Sequence, residues 1–144
     1  MIALDTNILI AARRRELAHH RAAGRLLARL ARGAEPWALP WPCVVEFLRV
    51  ITHHRVFRAP TPLSLALRDL ALLLGSPSLT LLAPGPAHAA HLERAAVGAD
   101  ATGNLLFDTQ IAALCAEHGV SELWTADRDF SRFPALKTRN QLVQ

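Results

Sequence analysis

The sequence is poor in aromatic residues: tyrosine is absent, and phenylalanine and tryptophan make up 6% of its 144 residues. A sheet faced with aromatic side chains, which would read single-stranded RNA by base stacking, is therefore not expected. Cysteine occurs only at Cys43 and Cys115, each in an apolar stretch and without paired spacing. A disulfide framework and a cysteine zinc site both lack support, and a reducing cytoplasm is the expected compartment.

Long apolar runs are missing as well. No stretch approaches the roughly 20 apolar residues that span a membrane, and Asp5 interrupts the segment where a signal peptide would need its apolar region. We therefore expect a soluble protein that is not exported and has no membrane partner.

Lysine is nearly absent, since only Lys137 among the 16 basic residues is a lysine, and 12 acidic residues leave a net charge of +4. A basic balance favours a polyanionic partner, although a compositional bias of the genome would also explain the arginines. Four of them, Arg21, Arg25, Arg29 and Arg32, recur at helical spacing. This face either steers RNA phosphates, meets an acidic partner, or is simply solvated.

Length and composition indicate one domain over residues 1–144, because 51% hydrophobic residues suffice for one core. Short apolar segments alternate with segments of helical periodicity. The predicted strands are 2–4, 37–39, 78–83, 122–125 and an edge strand at 136–139. One helix is predicted directly after Asp5, and others cover 17–32, 43–54, 62–74, 86–97 and 105–118. A loop is predicted at 98–104 and a tight turn at 126–133. This alternation predicts an α/β fold, a mostly parallel sheet with helices on both faces and chemistry at the carboxyl ends of its strands.

Most acidic residues, including Glu117 and Glu122, fall on predicted polar faces or in loops, but four do not. Asp5 and Asp127 directly follow predicted strands, which places them at the carboxyl edge of the sheet. Asp108 shares a helix face with apolar residues, and Glu46 is flanked in the same way, so both carboxylates are expected to point toward the core.

A helix cap or a salt bridge to an arginine would explain any one of these carboxylates. Four carboxylates at one site would repel one another unless a divalent cation neutralised them. The absence of histidine and cysteine from the set favours Mg²⁺, with Mn²⁺ as a substitute, over zinc. We expect Asp5 and Asp108 to be direct ligands, while Glu46 and Asp127 complete the pocket, position a water or hold a second ion.

With these residues the sequence resembles the PIN-domain ribonucleases, and in particular the VapC toxins of type II toxin-antitoxin systems. The resemblance rests on the opening Ile2-Ala3-Leu4-Asp5-Thr6-Asn7, Glu46 in an apolar helix, the stretch from Ala101 to Asp108, and Thr125-Ala126-Asp127-Arg128-Asp129-Phe130. It implies a three-layer α/β/α sandwich, Mg²⁺- or Mn²⁺-dependent cleavage of RNA, a homodimer and a neutralising antitoxin. It also implies that Asp5, Glu46, Asp108 and Asp127 form the catalytic pocket and that Thr6, Asn7 and Thr125 support it. Asp129 either supports the pocket or caps the turn after Asp127.

Two other functions compete with a toxin endoribonuclease. A PIN-like domain could bind RNA without cutting it, although the intact acidic positions argue against this. An aspartyl-phosphate receiver-like domain also uses acids at strand ends, but it needs a well-placed lysine, and Lys137 near the C-terminus is the only one. His88 and His91 have the spacing of metal ligands without a third ligand, so a zinc site is not expected.

Overall fold

The computed structural model describes residues 1–143 and contains a five-stranded sheet with six α-helices. The strands are β1 (Ile2–Leu4), β2 (Trp37–Pro40), β3 (Leu79–Leu82), β4 (Glu122–Trp124) and β5 (Thr138–Arg139). The helices are α1 (Thr6–Arg13), α2 (His20–Arg32), α3 (Trp41–Ile51), α4 (Leu63–Leu74), α5 (His88–Ala99) and α6 (Leu105–Glu117), and a short 3-10 helix covers Arg128–Arg132. The predicted α/β class is confirmed.

All pairings in the sheet are parallel, and the strand order is β3-β2-β1-β4-β5. The most buried strands lie at its centre: Ala3 and Leu4 of β1 are inaccessible to solvent, and all of β2 is buried. The order reverses at β1, because the chain adds β2 and β3 on one side and β4 and β5 on the other. Ligands bind at such a switch point in open α/β sheets, and Asp5 is the first residue after β1.

The helices form two groups, α1 to α4 and α5 with α6, which right-handed crossovers place on opposite faces of the sheet. Helix α6 also contacts α3, and its residues 111–115 are all buried. The predicted three-layer arrangement is therefore confirmed. Within residues 1–143 no helix is both long enough and apolar enough to cross a bilayer.

Several boundaries differ from the predictions by a few residues. Helix α2 begins at His20 rather than at residue 17, because residues 15–19 form turns. Helix α3 begins at Trp41, with Pro40 as N-cap and Pro42 in its first turn, and ends before the predicted limit. The predicted tight turn at 126–133 contains the 3-10 helix, and the edge strand is shorter than expected.

The predicted placement of Glu117 and Glu122 on polar faces or in loops is wrong. Glu117 Oε2 lies 3.0 Å from His88 Nδ1, and its Oε1 accepts a hydrogen bond from the Gly85 backbone. Glu122 begins β4, accepts a hydrogen bond from Trp124 Nε1 and lies 3.3 Å from the Arg139 guanidinium. Glu117 is satisfied by donors from the β3–α5 connection and α5, whereas Glu122 accepts its hydrogen bond within β4 and pairs with a charge on β5. Helical or strand periodicity does not reveal such partners.

Candidate active site

Asp5 lies at the carboxyl end of the central strand and is only 5% exposed. Its backbone N–H donates to the Trp124 carbonyl, which ties the end of β1 to β4. Its Oδ1 accepts a hydrogen bond from the Thr6 backbone at 2.7 Å, so Asp5 also acts as the N-cap of α1. Cys43 Sγ lies 3.8 Å from the same oxygen. The Asp5 carboxylate is thus buried and held in place at the carboxyl edge of the sheet, where open α/β sheets bind their ligands.

The Thr125 hydroxyl joins three segments around Asp5. It donates to Asp5 Oδ2 at 2.7 Å and accepts hydrogen bonds from Asn7 Nδ2 and from the Asp127 backbone. Asn7 Nδ2 donates to Asp5 Oδ2 as well, and Asn7 Oδ1 accepts from the Ala126 backbone. A hydroxyl has one hydrogen and two lone pairs, so the capacity of Thr125 is fully used. Thr125 and Asn7 therefore both contact the Asp5 carboxylate directly, and their supporting role stays a prediction.

Glu46 reaches the same site from α3, where Thr6 Oγ1 donates to its Oε2 at 2.7 Å. The expectation that Glu46 points into the core is wrong, because its side chain is 44% exposed. Cys43, Val44, Phe47 and Ile51 form the buried stripe of α3, and Glu46 lies at the margin of that stripe. Its other oxygen is 3.7 Å from the Arg49 guanidinium.

A second group of carboxylates comes from α6 and from the segment after β4. Asp108, Asp127 and Asp129 each offer an oxygen, and these oxygens all lie within 4.8 Å of one another. Asp108 is in the first turn of α6 and only partly buried rather than pointing into the core. The side chain that caps the turn is Asp127, whose Oδ1 accepts from the Asp129 backbone at 2.8 Å. Asp129 therefore does not cap this turn, and its carboxylate lies in the cluster with Asp108 and Asp127.

The electrostatics of the site follow from burial and crowding. Burial raises the pKa of Asp5 to about 6, although hydrogen bonds from Thr125 and Thr6 oppose this shift; the charges of Glu46 and Asp127 add to it. Partial burial also raises the pKa of Asp108 to about 6, with further contributions led by the charge of Asp127. Both carboxyls therefore resist ionisation more than an ordinary aspartate, as expected for acids crowded without a cation.

The acids open into a groove of about 900 Å³ between the first turns of α3 and α6. Glu46, Asp108 and Asp127 line it together with Arg49, the amides Asn104 and Gln110, and apolar residues that include Trp41, Val45 and Phe107. Lys137 is elsewhere: it is exposed and lies 3.7 Å from Glu122. The receiver-like alternative therefore has no lysine at this groove.

Sequence reasoning missed the apolar and basic walls of this groove. Phe107 and Trp41 were not singled out, and neither was Arg49. For Phe107 a signal existed, because consecutive residues point about 100° apart on a helix and Phe107 therefore leaves the face shared by Leu105, Asp108 and Ile111. For Trp41 no signal was available, since its exposure depends on where α3 begins.

Comparisons with known proteins agree with this geometry. The family model "PIN domain" matches residues 2–136. The chain is 37% identical over 142 residues to VapC ribonuclease Mb2897 of Mycobacterium bovis, covering 99% of this chain and 96% of that protein. It is 31% identical over 137 residues to ribonuclease VapC25 of Mycobacterium tuberculosis, covering 95% and 96%.

Solved structures share the fold at low sequence identity. VapBC2 from Rickettsia felis, in a crystal structure with a DNA fragment from its promoter, superposes with a TM-score of 0.71 at 19% identity and covers 97% of this chain and 98% of that one. VapC20 of Mycobacterium tuberculosis, described as a toxin that cleaves the sarcin-ricin loop, gives a TM-score of 0.67 at 20% identity, with coverage of 91% and 93%.

Proposed function

The chain belongs to the PIN domain family, and from this membership we propose that it is a divalent-metal-dependent endoribonuclease acting as the toxin of a type II toxin-antitoxin system. Its similarity to VapC ribonucleases over nearly the full chain supports the reaction and the biological role. The observation that carries the proposal is the convergence of four carboxylates from separate segments: Glu46, Asp108 and Asp127 line one groove, and the buried Asp5 is connected to Glu46 through Thr6.

The donor set fits a hard divalent cation, because it consists of carboxylate oxygens without nitrogen or sulfur ligands. We assign Asp5 and Asp108 as direct ligands of Mg²⁺, or of Mn²⁺ in its place. Asp5 Oδ1 accepts one short hydrogen bond, from the Thr6 backbone, and a long one of 3.8 Å from the Cys43 thiol, a weak donor that an ion would displace. Asp127 and Asp129 lie close enough to Asp108 to share the ion or to hold its waters. The raised pKa values of Asp5 and Asp108 support this assignment, because a cation would offset the cost of burying their charges as well as the smaller repulsion from neighbouring acids.

The chemistry divides between the cation and the side chains. When bound, a divalent cation supplies positive charge to the phosphate oxygens and lowers the pKa of a water. Thr125 and Asn7 orient the Asp5 carboxylate, and Thr6 orients Glu46. We assign Glu46 and Asp127 to accept hydrogen bonds from the attacking water, so that it is aligned with the phosphorus.

We further propose a cognate antitoxin as partner, a homodimer as the free state and the cytoplasm as the compartment. The support for the antitoxin is that several similar structures are VapBC or FitAB assemblies. A cluster of carboxylates is satisfied by a cationic side chain as well as by a metal, so a basic residue of the antitoxin would inhibit the site. Light scattering at micromolar concentration tests the dimer, and suppression of cleavage by the product of a neighbouring reading frame tests the antitoxin.

The nuclease proposal is tested with the purified protein and a labelled, unstructured RNA. Cleavage is expected with Mg²⁺ or Mn²⁺, poorly with Ca²⁺ because of its longer and looser coordination, and not with chelator. Asp108→Asn should reduce the rate at least a hundredfold. Asp100→Asn is the matched control, because Asp100 is an exposed residue at the end of α5 with a φ of 49°, which asparagine tolerates. Full activity in excess chelator, or in Asp108→Asn, would contradict the proposal.

A further inference from the structure

Two of the eight aromatic side chains stand apart from the other six. The chain has three tryptophans and five phenylalanines, all within residues 1–143. Six of them are buried or partly buried, whereas Trp41 is 40% exposed and Phe107 is 70% exposed. Both exposed rings line the groove that contains the acids. The exposed aromatic surface of the molecule is thus concentrated at one place.

The positions of these rings follow from the two helices that supply the acids. Trp41 is the first residue of α3, the helix of Glu46, and Phe107 immediately precedes Asp108 in the first turn of α6. Neither ring is needed to fill the core, because the buried stripes of α3 and α6 consist of other residues. Together with Val45 the two rings form an exposed apolar patch in the groove, and such patches mark binding surfaces.

We propose that Trp41 and Phe107 stack on unpaired RNA bases that flank the phosphate held at the acidic cluster. This inference rests on the proposed nuclease function and adds to it two residues that would position the nucleotides beside the cleaved phosphate. A phosphate at Asp108 and Asp127 would place its neighbouring nucleotides in the same groove, against the walls that carry the rings. Bases stack on aromatic side chains whatever their sequence, but only when they are unpaired.

The remaining groove residues favour RNA over a protein segment as the occupant. The Arg49 side chain is 61% exposed, and its contact with Glu46 is long, at 3.7 Å, so its guanidinium is available to a phosphate. Asn104 and Gln110 provide amide donors and acceptors for base edges. The rings would stack on bases, the arginine would bind a phosphate and the amides would contact base edges, so the groove offers a partner for each part of a nucleotide.

The test measures binding of fluorescein-labelled twelve-nucleotide oligo(A) and oligo(U) by anisotropy, in the Asp108→Asn background so that the RNA stays intact. Phe107→Ala and Trp41→Ala should each weaken binding about fivefold or more with both RNAs. Leu72→Ala and Val97→Ala are the matched controls, since these residues are 74% and 75% exposed outside the groove. They should leave the affinity unchanged. A twelve-base-pair RNA duplex should bind more weakly than either single strand.

Conservative variants separate stacking from simple apolar contact. Phe107→Leu keeps an apolar side chain but should lose affinity like Phe107→Ala, whereas Phe107→Trp should retain it. RNA should also quench tryptophan fluorescence, because Trp41 is the most exposed of the three indoles. Trp41→Phe should abolish most of that quench while keeping the affinity, which a loss of folding would not reproduce.

The outcomes distinguish this inference from the nuclease proposal. Wild-type cleavage of RNA together with unchanged binding by Phe107→Ala and Trp41→Ala overturns the stacking role and leaves the nuclease intact. Variants that keep RNA affinity but lose antitoxin binding also overturn it, because the rings would then belong to a protein interface. Absence of both RNA binding and RNA cleavage in the wild-type protein overturns the nuclease proposal, and the stacking role with it.

Discussion

The Asp5 carboxylate combines a fixed position with an unfavourable charge. Short hydrogen bonds from Thr6, Asn7 and Thr125, and a long one from the Cys43 thiol, hold its two oxygens, so the side chain is already oriented before any ligand binds. Burial nevertheless raises its pKa to about 6. Because the carboxylate is rigidly held and its ionised form is disfavoured, a bound cation would stabilise that form strongly. This behaviour is expected of a metal ligand.

Asp108 provides the clearest pH prediction, because within residues 1–143 no hydrogen bond to its carboxylate opposes the rise in its pKa. The pKa of Asp108 is about 6 in the folded state against an ordinary 3.8, so folding favours its protonated form. The contribution of this carboxyl to stability is fully present below pH 3.8 and is lost as the pH rises through 6. In metal-free buffer Asp108→Asn should therefore match wild type near pH 4 and exceed its unfolding free energy by about 1 kcal/mol at pH 7.5.

Thermal melts in chelator from pH 4 to 8 would measure this difference. Asp100→Asn serves as the control, and its melting temperature should follow that of wild type at every pH. Added Mn²⁺ should stabilise wild type above pH 6 and have little effect on Asp108→Asn. A constant difference between Asp108→Asn and wild type across the pH range would contradict the raised pKa.

At the scale of elements, Thr125 links the end of β4, the start of α1 and the segment that carries Asp127. Its side chain is buried, and all three of its hydrogen bonds go to groups of the site. Thr125→Val preserves shape but removes these bonds, so we expect a loss of about 2 kcal/mol in unfolding free energy and a marked fall in kcat. Thr125→Ser keeps the hydroxyl and should keep most of both. Urea denaturation and single-turnover cleavage measure the two effects, and a stable, fully active Thr125→Val would refute this role.

The strands and helices were predicted well from sequence where the apolar pattern is local. Alternation of apolar strands with periodic helices was enough for the parallel sheet, and the residues that follow β1 and β4 were correctly placed at its carboxyl edge. Predicted boundaries were less accurate at α2 and α3, because helix starts depend on turns and prolines whose effect is set by tertiary contacts.

Sequence indicated which acids lie near one another but not their detailed arrangement, and their catalytic role stays a prediction. Asp5, Glu46, Asp108 and Asp127 could be chosen because carboxylates on apolar faces or after strands are unusual. The approach of Asp129 to Asp108 could not, because it depends on the turn that Asp127 caps. The burial of Glu117 was missed for the same physical reason, since its partner His88 lies on another helix.

At the scale of the whole molecule, acids and histidines occupy different regions. The acidic cluster gathers residues from both halves of the chain at one end of the sheet. Within residues 1–143 none of the seven histidines lines the groove: His88 and His118 are engaged near the β3–α5 connection, and His20 bonds the Ala11 carbonyl. Acid-base catalysis by a histidine pair therefore has no candidates at this site.

This distribution predicts the chemical ends of the RNA fragments. If the site activates a water for attack on phosphorus, the 3′ oxygen would be the leaving group, so the fragments should carry 5′-phosphate and 3′-hydroxyl ends. A nuclease that uses the 2′-hydroxyl of the RNA would leave a 2′,3′-cyclic phosphate and would not require a metal. Phosphatase-dependent relabelling of 5′ ends and polyadenylation of untreated 3′ ends distinguish the two sets of products, with ribonuclease A fragments as the cyclic-phosphate control. Cyclic phosphate ends would rule out metal-assisted hydrolysis by these carboxylates even if the protein proved to be a toxin.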